Sequence, residues 1–310
     1  MLNALLNSKT IRIFCLVVVF ALAGCSPAAP EKEAEAPAPA PAPPPDAARW
    51  TVTDGVNAPE SVYVDSASGF IFVSQIGGAP DQRDGNGAIS KLNGDGTVNN
   101  AAWVSGLNAP KGLRSHDGML WTADLDEVIG IDIAAGTIKA RMKIAGAQFL
   151  NDVAVGADGT VYVSDTIGSR IYAVKDGKSS VFAEGEEMEY PNGLLVEGDK
   201  LVVGGWGKPE ADFTTKVPGR LFTVDLKTKQ KTAITPEPTA NIDGLESDGQ
   251  GGYIVSDYMA GKIMRIAGDG SVTVLRQFMQ GTADIGYVPG SKLVIVPHMA
   301  ENKVAAYEIN

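Results

Sequence analysis

Short apolar runs alternate with turn signals along most of the chain. Residues 190–206, YPNGLLVEGDKLVVGGW, show the pattern: one apolar run, a turn at Glu197-Gly198-Asp199, and a second apolar run. This arrangement predicts a β-hairpin. Asn192 interrupts the pattern, because it places a polar side chain at the entrance to the first strand, between a Pro and a Gly.

The same hairpin recurs along the chain. Five related segments begin at Ala58, Ala109, Phe149, Asn241 and Thr282. In each one, two strands joined by a Gly-bearing turn are followed by a third apolar run, and in most by a fourth. Six four-stranded units predict an all-β fold, a six-bladed β-propeller over residues 49–310.

Only three of the four strands expected for the sixth unit can be recognised between Thr282 and Asn310. Residues 49–53, RWTVT, form a spare strand ahead of the first unit. We predict that this N-terminal strand completes the sixth blade, because pairing across the closure removes an exposed strand edge.

The N-terminal segment predicts a signal peptide rather than part of the fold. Lys9 and Arg12 precede an apolar stretch, residues 13–23, that is shorter than the about 20 residues of a membrane span. An ordinary secretory signal and a lipoprotein signal both begin this way.

The end of this segment favours the lipoprotein signal. Leu22-Ala23-Gly24-Cys25 resembles the lipobox of bacterial lipoproteins, which implies removal of residues 1–24 and lipidation of Cys25. Ser26 implies an outer-membrane position facing the periplasm if the source is Gram-negative. Residues 25–48 are rich in Pro and Ala and predict a disordered tether that reaches roughly 70 Å from the membrane.

Composition excludes several classes of function. The chain has two Cys, and both Cys15 and Cys25 lie outside the predicted propeller, which therefore has neither a disulfide nor a thiol nucleophile. Removal of the leader changes the formal net charge from −11 to −13, since the leader contains two basic and no acidic residues. An acidic domain without a basic patch predicts no nucleic-acid binding and suits a small molecule or a cation.

One polar residue stands at the start of the first strand of every unit. In a propeller these strands surround the central channel, so the six side chains should converge at one end of it. They are Glu60, Lys111, Asn151, Asn192, Asp243 and Asp284.

Two interpretations of this ring remain open from the chemistry alone. Channels contain water, so polar side chains there are ordinary, and Lys111 offers a built-in counter-ion. However, three carboxylates close together repel one another unless a cation is present. A hard divalent cation such as Ca²⁺ binds oxygen ligands of this kind.

The predicted propeller resembles the regucalcin, gluconolactonase and luciferin-regenerating-enzyme-like family of six-bladed propellers. The matching motifs are Glu60 in APES, Asn151-Asp152 in FLND, Asn192-Gly193 in YPNG and Asp243-Gly244 in IDGL. The resemblance implies one divalent metal ion, Ca²⁺ foremost with Zn²⁺, Mn²⁺ or Mg²⁺ as alternatives. It implies that Glu60, Asn192 and Asp243 hold the metal and that Asn151 faces the substrate.

Two positions depart from the family pattern. Phe149 occupies the place where family lactonases have an Arg aimed at the substrate, and Lys111 adds an ammonium to the ring. Both departures predict a substrate different from a sugar lactone and leave open whether the protein is an enzyme.

The resulting hypothesis is metal-assisted hydrolysis of a small lactone or ester. Asp243 would act as general base, while Asn151 and Lys111 would stabilise the developing oxyanion. Asp284, His298 and Trp206 are predicted to contact the substrate.

Two long connections, residues 75–87 and 205–219, should border the same face, with Phe213 and Tyr258 adding apolar wall. Trp206 can equally pack between blades. The alternative function is a non-catalytic binding or scaffold propeller on a lipid tether, with a structural metal or none and a protein partner.

Overall fold

The computed structural model describes residues 47–309, which form six separate four-stranded antiparallel sheets. The predicted six-bladed β-propeller is thereby confirmed. The predicted leader 1–24, the lipidated Cys25 and all but the last two residues of the 25–48 tether lie outside the described residues. Within residues 47–309, no helix is long and apolar enough to cross a membrane.

The strands follow the repeat in chain order. A first strand, β1 (Trp50–Val52), precedes the repeats. Blade 1 contains β2 (Pro59–Asp65), β3 (Phe70–Gln75), β4 (Gly87–Leu92) and β5 (Val98–Leu107). Blade 2 contains β6 (Pro110–His116), β7 (Met119–Asp124), β8 (Glu127–Asp132) and β9 (Thr137–Lys143). Blade 3 contains β10 (Leu150–Val155), β11 (Val161–Asp165), β12 (Arg170–Lys175) and β13 (Lys178–Glu184).

The second half of the ring has the same organisation. Blade 4 contains β14 (Pro191–Glu197), β15 (Lys200–Gly205), β16 (Leu221–Asp225) and β17 (Lys231–Ala233). Blade 5 contains β18 (Ile242–Ser247), β19 (Tyr253–Asp257), β20 (Lys262–Ile266) and β21 (Val272–Gln277). Blade 6 contains β22 (Gly286–Val288), β23 (Leu293–His298) and β24 (Lys303–Glu308). Three single-turn 3₁₀ helices, Glu186–Met188, Pro289–Ser291 and Met299–Glu301, join strands.

Apolar residues occupy both faces of the inner strands because each blade packs against two neighbours. Phe72 faces blade 2, whereas its neighbour Val73 faces blade 6. Six hydrophobic clusters of the described residues each lie between two adjacent blades. Period-2 alternation therefore directs successive side chains to different interfaces rather than to core and solvent.

The ring is closed by pairing between its two ends. The N-terminal strand β1 pairs with β24, with Trp50 opposite Ala306 and Val52 opposite Val304. Val52 is buried in the cluster that joins blades 6 and 1. The prediction that the N-terminal strand completes the sixth blade is confirmed.

The innermost strands contain a β-bulge at the position of the polar ring. In blades 1 to 5 the register with the second strand shifts directly after the first residue of the inner strand. The bulge frees the next side chain from the pleat and turns it toward the channel. Blade 6 differs, because β22 begins only at Gly286 and Asp284 joins blade 1 through a bridge to Ser61.

Serine hydroxyls replace the backbone pairs that the bulges remove. The Asp152 N–H donates to Ser164 Oγ at 2.9 Å, and Ser164 Oγ donates to the Asn192 carbonyl of blade 4 at 2.8 Å. Ser74 and Ser256 occupy the same position and accept from inner-strand N–H groups in blades 1 and 5. One side chain thus satisfies the bulge and, in blades 3 and 5, binds the next blade.

The closure gives a test of the fold. We expect Val52→Asp to lower the free energy of unfolding by about 3 kcal/mol or more, because a carboxylate would lose its water between blades 6 and 1. The adjacent Thr51 is exposed, and Thr51→Asp should change the same quantity by less than about 0.5 kcal/mol. Urea unfolding of both variants measures the difference, and equal losses would contradict the packing of β1 into the closure.

Candidate functional site

A cavity of about 240 Å³ opens at one end of the channel. Five of the six predicted ring residues line it, namely Glu60, Lys111, Asn151, Asn192 and Asp243. All five side chains are buried. Each follows the first residue of an inner strand, so the bulges bring residues from five blades to one polar floor.

Three oxygens of this floor have no hydrogen-bond partner. They are Glu60 Oε2, Asn192 Oδ1 and Asp243 Oδ1, and all three are buried. An unpaired buried acceptor is costly, whereas carboxylate and amide oxygens are the ligands that hard divalent cations prefer. No group of three or more His, Cys, Asp or Glu within residues 47–309 is arranged to hold a metal ion. The triplet here includes an amide, and its donor set fits one divalent cation.

Burial makes this floor electrostatically unfavourable when it is fully ionised. Burial, and then the nearby Asp243, raise the pKa of Glu60 well above its usual range, while the Lys111 ammonium partly opposes them. Burial and the Asp152 carboxylate raise the pKa of Asp243 to about 8, although the Asn192 amide lowers it. Without a cation, burial and mutual repulsion therefore favour the protonated forms of the two carboxyls.

Lys111 lies at the side of the floor rather than between the carboxylates. Its ammonium donates to the Ala109 carbonyl at 3.1 Å and to the Pro80 carbonyl at 3.2 Å. It also lies 4.7 Å from the centre of the Phe149 ring. Burial lowers the pKa of Lys111, while Glu60 raises it. The ammonium therefore ties the β3–β4 connection to the cavity.

Asn151 is held at the floor by its neighbours. Its amide donates to Thr166 Oγ1 at 3.4 Å, and Thr166 Oγ1 donates to the Pro191 carbonyl at 2.9 Å. The next residue, Asp152, was not among the predicted site residues. Its carboxylate accepts the N–H groups of Val153 and Leu194, both at 2.6 Å, and so fixes the bulges of blades 3 and 4. Two adjacent polar residues on one inner strand are the signal that marks it in the sequence.

Asp284 does not line the cavity, contrary to the predicted convergence of all six residues. Its Oδ2 accepts from Ser61 Oγ at 2.5 Å. The difference arises because β22 starts two residues after Asp284, whereas each of the other inner strands starts one residue before its ring residue. Asp284 therefore bridges to blade 1 instead of forming a bulge. Asp284 thus belongs to a deeper level of the channel. Arg114, also missed from the sequence, is the partly buried cation of this level: it partly offsets the rise that burial causes in the pKa of Asp284, and it donates to Glu246 at 2.8 Å.

His298 also lies outside the cavity lining, so the structure does not support its predicted contact with substrate. Its Nε2 pairs with the Tyr307 hydroxyl at 2.9 Å, and its Nδ1 lies 3.4 Å from Glu301. The Phe278 ring packs edge-on against it. Burial, reinforced by Lys303, lowers the pKa of His298 to about 4, so the imidazole is neutral. These contacts explain its burial without a ligand.

Asp124 and Asp165 end the second strands of blades 2 and 3, as His298 ends that of blade 6, and neither lines the cavity. Asp124 accepts the N–H groups of Asn108 and Ala109, and Asp165 accepts those of Gln148 and Phe149. Each carboxylate thus caps the chain as it enters an inner strand. Their role is to set the starting point of the strands that carry the floor.

The cavity walls are largely apolar. Trp206, Phe213 and Tyr258 line it, together with two methionines of blades 5 and 6, Met259 and Met299. The Trp206 ring lies 5.7 Å from Tyr258. The long connection that begins at Trp206 therefore contributes wall as predicted, and the methionines are residues that the sequence pattern did not single out.

Fold and site together define a six-bladed propeller with a polar-floored pocket on its axis, and solved structures share this fold. A gluconolactonase from Xanthomonas campestris has a TM-score of 0.61 at 14% identity, over 83% of this chain and 88% of that chain. The calcium-binding protein regucalcin from Agrobacterium tumefaciens has a TM-score of 0.58 at 17% identity, over 84% and 93%. Virginiamycin B lyase from Staphylococcus aureus has a TM-score of 0.57 at 14% identity, over 83% and 97%.

At these identities the likeness establishes the fold and not the activity. No protein-family model matches the chain, and no curated protein matches it.

The raised pKa of Asp243 predicts a pH-dependent stability in the presence of a chelator. The proton on Asp243 stabilises the fold fully below the ordinary pKa near 4, and this contribution is lost as the pH rises through about 8. We expect the free energy of unfolding to fall over that interval. Asp243→Asn should reduce the slope by up to about 1.4 kcal/mol per pH unit. Urea unfolding from pH 5 to pH 8 measures it, and an unchanged slope would refute the protonated state.

Proposed function

We propose that this protein hydrolyses a small lactone or ester with the help of one divalent metal ion, Ca²⁺ foremost and Zn²⁺, Mn²⁺ or Mg²⁺ as alternatives. The observation that carries the proposal is the set of three unpaired buried oxygens on the floor of an otherwise apolar cavity. The fold it shares with a gluconolactonase and with a calcium-binding regucalcin supports it. Membership of their family is part of the proposal.

In this proposal Glu60, Asn192 and Asp243 hold the metal. When bound, such an ion polarises a carbonyl group and makes a water molecule more acidic. Glu60 and Asp243 supply the negative charge that retains the ion, and Asn192 supplies a neutral oxygen. The three oxygens come from blades 1, 4 and 5, so binding would also cross-link the ring.

The other floor residues handle protons and developing charge. Asp243 is the general base: with a cation on the floor its carboxyl would be ionised, and a carboxylate that lines the cavity can accept a proton from water. The Asn151 amide lies on the floor to donate to the substrate carbonyl oxygen as it gains charge. Lys111 has three N–H donors, of which two have carbonyl acceptors, so one remains for the same oxygen.

The cellular setting is proposed from the N-terminal sequence. Acylation at Cys25 anchors the protein to a membrane, and the Pro- and Ala-rich segment spaces the propeller from it. We propose an outer-membrane lipoprotein facing the periplasm. A small molecule, rather than nucleic acid, suits its net charge of −11.

A second candidate is a non-catalytic propeller that binds a ligand or a protein partner and uses the metal for structure. The placement of Lys111 favours it, because the ammonium is tied to two backbone carbonyls against Phe149 instead of pointing to the centre of the floor. In that case the metal stabilises the ring and no substrate is turned over.

Metal binding predicts a gain in stability. After treatment with a chelator, Ca²⁺ at 100 times its Kd should stabilise the native protein by about 2.7 kcal/mol. Glu60→Gln and Asp243→Asn should each abolish most of that gain, because each removes a ligand charge. Asp212→Asn, an equal charge change on the cavity wall, should preserve it. Thermal unfolding with Ca²⁺, Mn²⁺ and Zn²⁺ measures the gain, and a parent protein that no metal stabilises would exclude this site.

Hydrolysis predicts a second outcome, which separates the two candidates. We expect γ-butyrolactone or a simple ester to be hydrolysed in a chelator-sensitive reaction. Titration of the released acid at constant pH measures the rate. Asp243→Asn should lower kcat at least about 100-fold, and Asn151→Ala by about the same factor. Asp212→Asn is the matched control and should retain activity. Stabilisation by metal without turnover of any lactone or ester would favour the binding propeller.

A further inference from the structure

We infer that the cavity accepts a lactone or ester with a hydrocarbon substituent and rejects polyhydroxylated, sugar-like ones. The reaction rests on the proposed function above, whereas the choice of substrate rests on the walls of the cavity. The walls determine which substituents are accepted, because they contact every part of a ligand except the group held at the floor.

The polar and apolar parts of the cavity are separated. Most hydrogen-bonding side chains that line the cavity belong to the floor, where Glu60, Asn192 and Asp243 lie, whereas the lining residues Asp212 and Gln280 are exposed to solvent. Above them, the wall is formed by aromatic rings and thioethers. Its main members are Phe149, Trp206, Phe213, Tyr258, Met259 and Met299.

The indole N–H and the phenol hydroxyl of the aromatic wall are already used. The Trp206 indole N–H donates to the Phe213 carbonyl at 3.0 Å. The Tyr258 hydroxyl donates to Met299 Sδ at 3.3 Å, and the Gln280 amide donates to Met259 Sδ at 3.4 Å. A ligand hydroxyl against this wall would give up water without gaining a strong partner, which lowers its binding by about tenfold or more.

Phe213 has an unusual backbone that supports the same conclusion. Its φ is 63°, in the left-handed region that bulky residues rarely adopt. The turn is held by the Phe213 N–H donating to the Glu210 carbonyl at 3.0 Å and by the Trp206 bond. The strained conformation places the Phe213 ring 5.2 Å from the Phe149 ring. Strain of this kind persists at functional sites, and here it adds aromatic surface to the cavity.

The size of the cavity limits the substituent. A volume of about 240 Å³ holds roughly eight water-sized groups. That is a small lactone ring with a short carbon chain, and the chain would lie against the surface that the Phe149 and Phe213 rings form together.

A matched pair of lactones tests the inference. γ-Hexalactone and erythrono-1,4-lactone have the same five-membered ring and the same number of non-hydrogen atoms, but the first has an ethyl group on C4 and the second has hydroxyls on C2 and C3. With Ca²⁺-loaded protein, we expect kcat/KM to be at least about 100-fold higher for γ-hexalactone. Equal values, or a preference for erythrono-1,4-lactone, would overturn the inference and leave the hydrolase proposal intact.

Variants locate the preference on the wall. Phe213→Gly removes the ring and tolerates the left-handed backbone, so it should lower kcat/KM for γ-hexalactone about tenfold and leave that for erythrono-1,4-lactone unchanged. Phe70→Ala is the control, since Phe70 lines a separate groove with Lys91, and it should alter neither value. Equal losses for both lactones in Phe213→Gly would contradict a role in selection.

Calorimetric binding of the same two lactones, with and without Ca²⁺, separates the two proposals. If neither is hydrolysed but γ-hexalactone binds and Phe213→Gly weakens that binding, the hydrolase proposal fails and the apolar preference stands. If neither lactone binds nor reacts, both proposals fail.

Discussion

A carboxylate taken out of water needs a donor, a cation or a proton, and this propeller buries four of them around one channel. Glu60, Asp152, Asp243 and Asp284 are each at most 5% exposed. Three of them, Glu60, Asp152 and Asp243, lie in β-bulges of the innermost strands, which bring them to a shared axis, and Asp284 joins them through its bridge to Ser61. The hydrogen bonds, the nearby cations and the unpaired oxygens of the site all relate to this concentration of negative charge.

The buried carboxylates are compensated differently at two depths of the channel. At the deeper level, Asp284 accepts from Ser61, Asp152 accepts two backbone N–H groups, and Arg114 supplies a fixed cation. At the floor of the cavity, the nearest ammonium is tied to backbone carbonyls, and three oxygens remain unpaired. At the deeper level the protein itself supplies donors and a cation to the carboxylates, whereas the floor is chemically complete only with protons or a bound cation.

The loops above the floor give the pocket its second property. The connection that follows Trp206 folds back so that the indole N–H holds the Phe213 carbonyl, and the Phe213 ring meets Phe149. Aromatic surface thus surrounds the most polar spot of the channel. A charged floor under an apolar wall strengthens electrostatic interactions with a ligand, because water is excluded around them.

The sequence by itself determined the six repeats, the strand that closes the ring and the polar residue at the start of each inner strand, because these depend on local periodicity and turn chemistry. Propeller symmetry related all six ring positions, and the resemblance to the regucalcin and gluconolactonase family selected Glu60, Asn192 and Asp243 among them. Only the tertiary structure decided which ring members face the cavity. Asp284 turns away because β22 starts late, and His298 is enclosed by Tyr307 and Phe278 from other strands. The direction of the Lys111 ammonium and the position of the Phe213 ring against Phe149 depend on contacts between distant segments, which no local pattern encodes.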